Sequence, residues 1–302
     1  MNQLRFFKLQ KNNKLFVDKQ LISFNIGQKN LKIISNYVKK LFELNEGCKF
    51  KSIQDVQKFL NTTSYYSLNK NLDIMTKLES FILEYLKKKK IINKTIVGVE
   101  FPFNIRIVHP SNQHQIKKRY STTSIHCDPW AGEPDDMINI IINLVINNQT
   151  SNVRIIKTTN SEANFYKKLC KTYKKRDFLN SKKYFEELKK LKEKKTYQIN
   201  NVPGQVFIFG GFLPHYTFKR GNQVRLGLEF RLRTKDPFST LDKWQSRLNR
   251  SGRYWYIPNK NHQDFKSKIK NEFLIINKNK NKKLFLKLRK QEINEVHSNL
   301  KI

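Results

Sequence analysis

His126-Cys127-Asp128 places an imidazole and a carboxylate two residues apart. On an extended strand, side chains at i and i+2 point to the same face, so His126 and Asp128 can share one ion while Cys127 points away. The same parity puts Tyr120, Thr122 and Ser124 on that face, which gives a polar approach instead of an apolar core. A third ligand must come from elsewhere, and the candidates are His109, His114, His215, His262 and His297. His114, His262 and His297 sit in polar contexts that suit solvated side chains. His215 sits in the strand-like segment Phe212 to Phe218, behind the apolar run Val206 to Phe209 and the turn Gly210-Gly211, and is the best candidate. Two imidazoles and one carboxylate on one face of an octahedral ion leave three positions open, the donor set of oxygen-activating iron(II). A 2-oxo acid can chelate through two of them and oxygen can take the last.

A second feature lies just downstream. The final apolar strand alternates, with Val224, Leu226, Leu228, Phe230 and Leu232 on one side and Gln223, Arg225, Gly227, Glu229, Arg231 and Arg233 on the other. Lys219 to Gln223 reads as a hairpin turn, which would set His215 directly opposite Arg225 and Thr217 opposite Gln223. Arg231 and Arg233 are expected to face water, as on a half-exposed strand. Arg225 is expected to face the ion instead, where its planar fork can hold a carboxylate through paired hydrogen bonds.

These groups need a scaffold. Apolar residues recur at helical spacing from Gln28 to Lys90, which makes residues 1–93 a helical N-terminal region packing on a β-rich core. From Thr95 the pattern changes to short β-rich segments: Thr95 to Phe101, Asn104 to His109, Arg119 to Asp128, Ile138 to Ile146, Val153 to Lys157, Thr196 to Ile199, Gln205 to Phe209, Phe212 to Phe218 and Gln223 to Arg233. Strands at this spacing predict a sandwich or barrel over residues 94–233. A charged helical insertion, Ser161 to Lys195, interrupts the series and is expected to act as a lid over the barrel mouth. Residues 234–302 form a basic extension with an aromatic cluster, Arg253 to Tyr256, a last helix at about Lys283 to Val296, and partial disorder at its end.

Lys and Arg number 60 against 24 Asp and Glu, a formal charge of +36. That charge would attract nucleic acid or other anions, but the lysines are spread through every region and are not interleaved with a recognition motif. No specific nucleic-acid partner is expected. Three cysteines, Cys48, Cys127 and Cys170, match neither a disulfide framework nor a zinc ribbon, which implies a reducing, cytoplasmic setting. The longest apolar stretch, around Met137 to Ile146, is too short and too interrupted by Asn to span a bilayer.

His126-x-Asp128, the distal His215 and Arg225 on the following strand resemble the iron(II)/2-oxoglutarate-dependent oxygenase superfamily. The nearest branch is the phytanoyl-CoA-dioxygenase-like group, in which a hydroxyl residue two positions after the distal His assists the Arg; Thr217 matches it. Other branches carry Ser or Thr two residues after the Arg, where this chain has Gly227. The resemblance covers about Thr95 to Arg233 and implies a double-stranded β-helix, a jelly-roll barrel like that of the cupins. It also implies Fe(II) as cofactor, 2-oxoglutarate as cosubstrate, molecular oxygen as reactant, and release of succinate and CO2. The segment His126 to Asp136 is similar to bacterial members that modify sugars or specialised metabolites, so a small-molecule substrate, with an anionic group as one option, is implied. Related halogenases replace the carboxylate with a small residue, so Asp128 favours hydroxylation, desaturation or ring chemistry. Asn139 and Asn143 on one strand face, Arg106 or Arg154, and Trp130 are the candidate substrate contacts. Two other classes compete: a cupin-like metal enzyme without 2-oxoglutarate, which needs no Arg225, and a basic nucleic-acid-binding module, which leaves the His/Asp set unexplained.

Overall fold

A computed structural model of the chain describes residues 16–18, 21–63, 68, 71–92, 96, 98–101, 103–110, 124–131, 137–159, 161–166, 182–197, 201–234 and 254–256. The expected C-terminal helix, Cys170, Tyr120, Thr122, His114, His262 and His297 lie outside these residues.

Three helices form one layer. Helix α1 (Gln28–Glu46) follows Gly27 and stops at Gly47, whose φ of 66° is the left-handed conformation that ends a helix. Helix α2 (Ile53–Asn61) starts on a capping box in which Ser52 and Asp55 satisfy each other's backbone N–H groups. Helix α3 (Leu72–Lys88) is capped by Asn71 and carries Lys87 and Lys88 in its last turn, favourable at the negative end of the helix dipole. Their apolar stripes, including Leu31, Ile34, Val38, Leu41, Val56, Leu60, Leu78 and Ile82, bury against one face of a large sheet.

That sheet is built from β1 (Phe16–Asp18), β2 (Leu21–Asn25), β3 (Gly98–Phe101), β4 (Asn104–Val108), β5 (Met137–Val145), β7 (Gln205–Gly210), β9 (Arg225–Arg233) and β10 (Tyr254–Tyr256), and every strand pair is antiparallel. Among the described residues its eight strands run in the order β1-β2-β7-β5-β9-β3-β10, with β4 also paired to β9. Two of the outer strands lie outside the segments expected to be strands. β2 precedes the helical region and pairs with β7, and the aromatic cluster Tyr254–Tyr256 pairs with β3. The alternation of β5 explains the sheet's two faces: Ile138, Ile140 and Ile142 join the helix-side core, while Asn139, Ile141 and Asn143 face the other way.

A second, two-stranded sheet pairs β6 (Asn152–Ile155) with β8 (His215–Phe218) and extends through isolated bridges at His126↔His215 and Ile156↔Thr196. Its inner face meets the large sheet through Leu21, Ile141, Val153, Ile155, Phe207, Phe209 and Leu213. Its outer face is covered by helix α4 (Lys182–Lys192), where Ile125, Cys127, Trp130, Ile156, Tyr166, Tyr184 and Leu191 form a separate cluster. The insertion is therefore packed core behind the small sheet where it is described, and not a lid across the space between the sheets.

The expected hairpin between β8 and β9 does not form. β8 belongs to the small sheet and β9 to the large one, so His215 opposes Ile155 and Arg225 opposes Val108. The turn between them docks on the β5–β6 connection: Gln223 N–H donates to the Gln149 carbonyl and Arg220 Nε to the Thr150 carbonyl. Gly221, at φ 63°, lies so close that a Cβ there would collide with the Gln149 carbonyl. Lys219 to Gln223 is thus a crossover between sheets, and equal spacing about its midpoint carries no register. Among the described residues no helix is long and apolar enough to cross a membrane.

Candidate metal centre

His126 and His215 form one rung of antiparallel main chain: His126 N–H donates to the His215 carbonyl at 3.0 Å and His215 N–H to the His126 carbonyl at 2.8 Å. Opposed residues share a face, so the imidazoles lie side by side with ring centroids 4.4 Å apart. Each Nδ1 meets a main-chain carbonyl, His126 that of Ser124 at 2.7 Å and His215 that of Leu213 at 2.9 Å. A carbonyl can only accept, so Nδ1 carries the hydrogen and Nε2 presents its lone pair.

Asp128 arrives differently from the strand expected. It opens a 3-10 turn, Asp128–Ala131, and its N–H donates to the Gly211 carbonyl at 2.9 Å. The turn aims Oδ1 at both imidazoles, 3.9 Å from His126 Nε2 and 3.8 Å from His215 Nε2. Oδ2 accepts a 2.5 Å hydrogen bond from Asn139 Nδ2, which reaches across from β5. Asn139, expected at the substrate, instead holds the carboxylate. The donor atoms of His126, Asp128 and His215 lie within 4.8 Å of one another; His126 and Asp128 are buried and His215 is mostly so.

The electrostatics suit a cation. Burial, and then the neighbouring His215, push the His126 imidazole down to about 4, so it is neutral and able to ligate at neutral pH. Burial alone would raise the Asp128 carboxyl, but His215, Arg231, His126 and the Asn139 hydrogen bond outweigh it and hold it below its ordinary value. Two imidazoles that turn Nε2 inward beside an ionised carboxylate form the donor set that a divalent ion of borderline hardness accepts.

The opposing face of the large sheet carries the rest of the polar cleft. Arg231 and Arg233 are buried, contrary to the water-facing expectation. Arg231 forks onto Glu100 at 3.2 Å to each oxygen and reaches Glu229 at 3.3 Å. The polar face of β9 is turned from water, so Arg231 meets carboxylates instead of solvent. Arg106 is likewise engaged, with Nε 3.0 Å from Glu229. Arg225 differs. It is 2% exposed, its Nε has no hydrogen-bond partner, and it forms no ion pair with a carboxylate among the described residues. Burial, then Arg106, lower its guanidinium to about 10 against the opposing effect of Glu229, which leaves it charged at neutral pH.

The other expected residues are spread over both sheets. Thr217 is buried on β8 opposite Val153, on the small sheet, and so does not oppose Gln223 as the hairpin register predicts. Trp130 does not wall the cleft: it packs edge-on against Tyr166 and Tyr184 in the cluster behind the small sheet. Arg154 lies over the Phe218 ring at 4.5 Å. Asn143 is fully buried on the cleft side of β5. The roles of the Ser124 and Leu213 carbonyls could not be read in advance, because main-chain partners leave no residue signature.

No protein-family model matches the sequence, and no curated protein matches it. Among solved structures the chain is similar to the non-heme alpha ketoglutarate dependent carbocyclase SnoK from nogalamycin biosynthesis, at 9% identity and a TM-score of 0.43, over 77% of this chain and 83% of that one. It is similar to the Kdo hydroxylase KdoO, a non-heme Fe(II) alphaketoglutarate dependent dioxygenase, at 16% identity and a TM-score of 0.35, over 67% of this chain and 84% of that one. Its structural neighbours include non-haem 2-oxoglutarate-dependent enzymes. An N-substituted L-amino acid dioxygenase from Burkholderia ambifaria AMMD is a further neighbour, at 10% identity and a TM-score of 0.34, over 71% of this chain and 82% of that one. At these identities the chemistry of this chain follows from its own side chains.

Proposed function

We propose that the chain is an iron(II)- and 2-oxoglutarate-dependent oxygenase of double-stranded β-helix fold, of the phytanoyl-CoA-dioxygenase-like branch, oxidising a C–H bond of a small molecule with release of succinate and CO2. The observations that support it best are a His-Asp-His donor set and, on the face of β9 that also carries Arg231 toward Asp128, a buried guanidinium that forms no ion pair with a carboxylate among the described residues. A metal enzyme that used no 2-oxo acid would leave Arg225 as a buried charge with no ion-paired carboxylate among the described residues, which proteins rarely tolerate.

In this reading His126, Asp128 and His215 hold the metal, which when bound supplies the oxygen-activating chemistry. Ser124 and Leu213 fix the imidazoles through Nδ1, and Asn139 fixes the carboxylate. Arg225 receives the far carboxylate of the cosubstrate, and the enclosure of the cleft strengthens that contact by excluding water. The charges around Asp128 and the hydrogen bond from Asn139 hold its carboxyl below its ordinary value against burial, so it offers no acidic proton to the reaction.

The test is an anaerobic titration of the full chain with iron(II) and then 2-oxoglutarate, followed through metal content and the visible charge-transfer band of the complex. Arg225→Ala should retain iron and lose ~2–5 kcal/mol of 2-oxoglutarate binding, the cost of leaving a buried charge without its partner. Unchanged 2-oxoglutarate binding in that variant would remove the cosubstrate assignment.

A further inference from the structure

Asn143 is 0% exposed, and neither its side-chain oxygen nor its nitrogen has a hydrogen-bond partner among the described residues. An amide sealed from water with both ends unbonded is costly and calls for a partner that completes it. Its position indicates which. Asn143 opposes Gly227 across the β5–β9 pair, and on the other side of β9 Arg106 opposes the same glycine. Opposed residues share a face, and diagonal neighbours two residues along lie within reach of long side chains. For Asn143 those neighbours on β9 are Arg225 and Glu229.

Gly227 therefore leaves a gap at the centre of a polar ring. The backbone favours glycine here, since a Cβ would come 3.1 Å from the Ile142 carbonyl oxygen, and the gap is its by-product. Around it, Arg106 and Glu229 engage each other at 3.0 Å. The Asn143 amide and Arg225 Nε have no hydrogen-bond partner among the described residues. The guanidinium groups of Arg106 and Arg225, with the Lys219 ammonium close to both, outnumber the single carboxylate of Glu229, which Arg231 also engages, so a further carboxylate would be held there by net positive charge.

We infer that Asn143, the gap over Gly227 and Arg225 together form the recess that takes the distal carboxylate of the 2-oxo acid, with the Asn143 amide as its second hydrogen-bond donor. The inference rests on the proposed function and adds to it a residue that sets cosubstrate preference. It also accounts for the absence of a hydroxyl side chain two residues after Arg225: the donor comes from the adjacent strand, through the space that glycine leaves open.

The test compares 2-oxoglutarate with 2-oxobutyrate, which keeps the 2-oxo acid group and lacks the distal carboxylate, on the full chain loaded with iron(II) without oxygen. Calorimetry gives both affinities for the parent, Asn143→Ala, Asn143→Asp and Arg225→Ala. Asn143→Ala should weaken 2-oxoglutarate by about tenfold or more, the worth of a hydrogen bond to a charged group, and leave 2-oxobutyrate unchanged. Asn143→Asp keeps the shape, can pair with Arg225 and so should fold, yet it should lose 2-oxoglutarate more severely because like charges meet in the recess. An equal loss for both acids in the Asn143 variants would mean a merely structural role and overturn the inference. Loss of the preference in Arg225→Ala alone would sink the inference while sparing the proposed function. A parent protein that did not distinguish the two acids would sink both.

Discussion

Asn139→Ala offers the cleanest separation of metal holding from folding. Asn139 is 2% exposed and its Nδ2 donates to Asp128 Oδ2 at 2.5 Å, while Oδ1 of the same carboxylate faces the two imidazoles. A hydrogen bond to a charged group is worth ~1.5–3 kcal/mol. Only part of that bears on metal affinity, because the bond is already present in the metal-free protein and its loss weakens both states. What metal binding specifically loses is orientation: without Asn139 the carboxylate can rotate away from the imidazoles. Partners that orient metal ligands in this way contribute about 10–100-fold in affinity, and the cancellation places the expected loss near the lower end, about tenfold or ~1.4 kcal/mol. The remainder, ~1 kcal/mol, should appear as lower stability of the metal-free protein. Iron(II) competition against a chromophoric chelator reads the first quantity and denaturant unfolding the second. Iron affinity equal to that of the parent would show that Asn139 does not orient a ligand, or that Asp128 is not one.

The buried charge cluster allows a second test: Arg231→Met should cost ~3–5 kcal/mol by stranding Glu100, which is 1% exposed, and adding Glu100→Leu should recover most of it in denaturant melts. Leu191→Ala on α4 should cost ~2–4 kcal/mol, because Leu191 is 1% exposed in the cluster behind the small sheet; a helix serving only as a lid would lose almost nothing in the same melts. Burial raises the hydroxyls of Tyr166 and Tyr184, with Glu187 adding to the effect on Tyr166. Their unfolded counterparts ionise near pH 10. Stability from these two groups is therefore complete below about pH 10 and falls as pH rises above it, and Tyr166→Phe should flatten that fall in unfolding midpoints measured across the alkaline range.

The sequence disclosed the parts of the site that are written in residue type. His126, Asp128 and His215 could be chosen because metal-binding side chains are few, and Arg225 because it stands on an alternating strand. The element boundaries of β4, β5, β7 and β9 followed from their apolar periodicity. The way these parts meet was not legible. Strand parity predicts that His126 and Asp128 converge, whereas Asp128 is on a 3-10 turn held by Gly211. A hairpin would bring His215 and Arg225 together, whereas a crossover places them on different sheets. Periodicity reports which faces are apolar and is silent on which strand lies beside which. The burial of Arg231 and Arg233 escaped for a related reason: a polar face reads the same whether it meets water or the polar face of another sheet. β2 and β10 pair at long range, and nothing in their local composition specifies a partner.

The paired histidines have a consequence for how such a site can change over time. Because His126 and His215 are two ends of a single main-chain rung, their separation in space is set by the strand spacing and is independent of the length of chain between them. The connection between β6 and β7, which carries α4, can be lengthened or replaced without altering the distance between the two imidazoles. Divergence is then cheap in the intervening segments and nearly forbidden at the rung. A single inserted residue within Ser124 to His126, or within Leu213 to His215, would turn one imidazole to the other face of the sheet and abolish the site in one step.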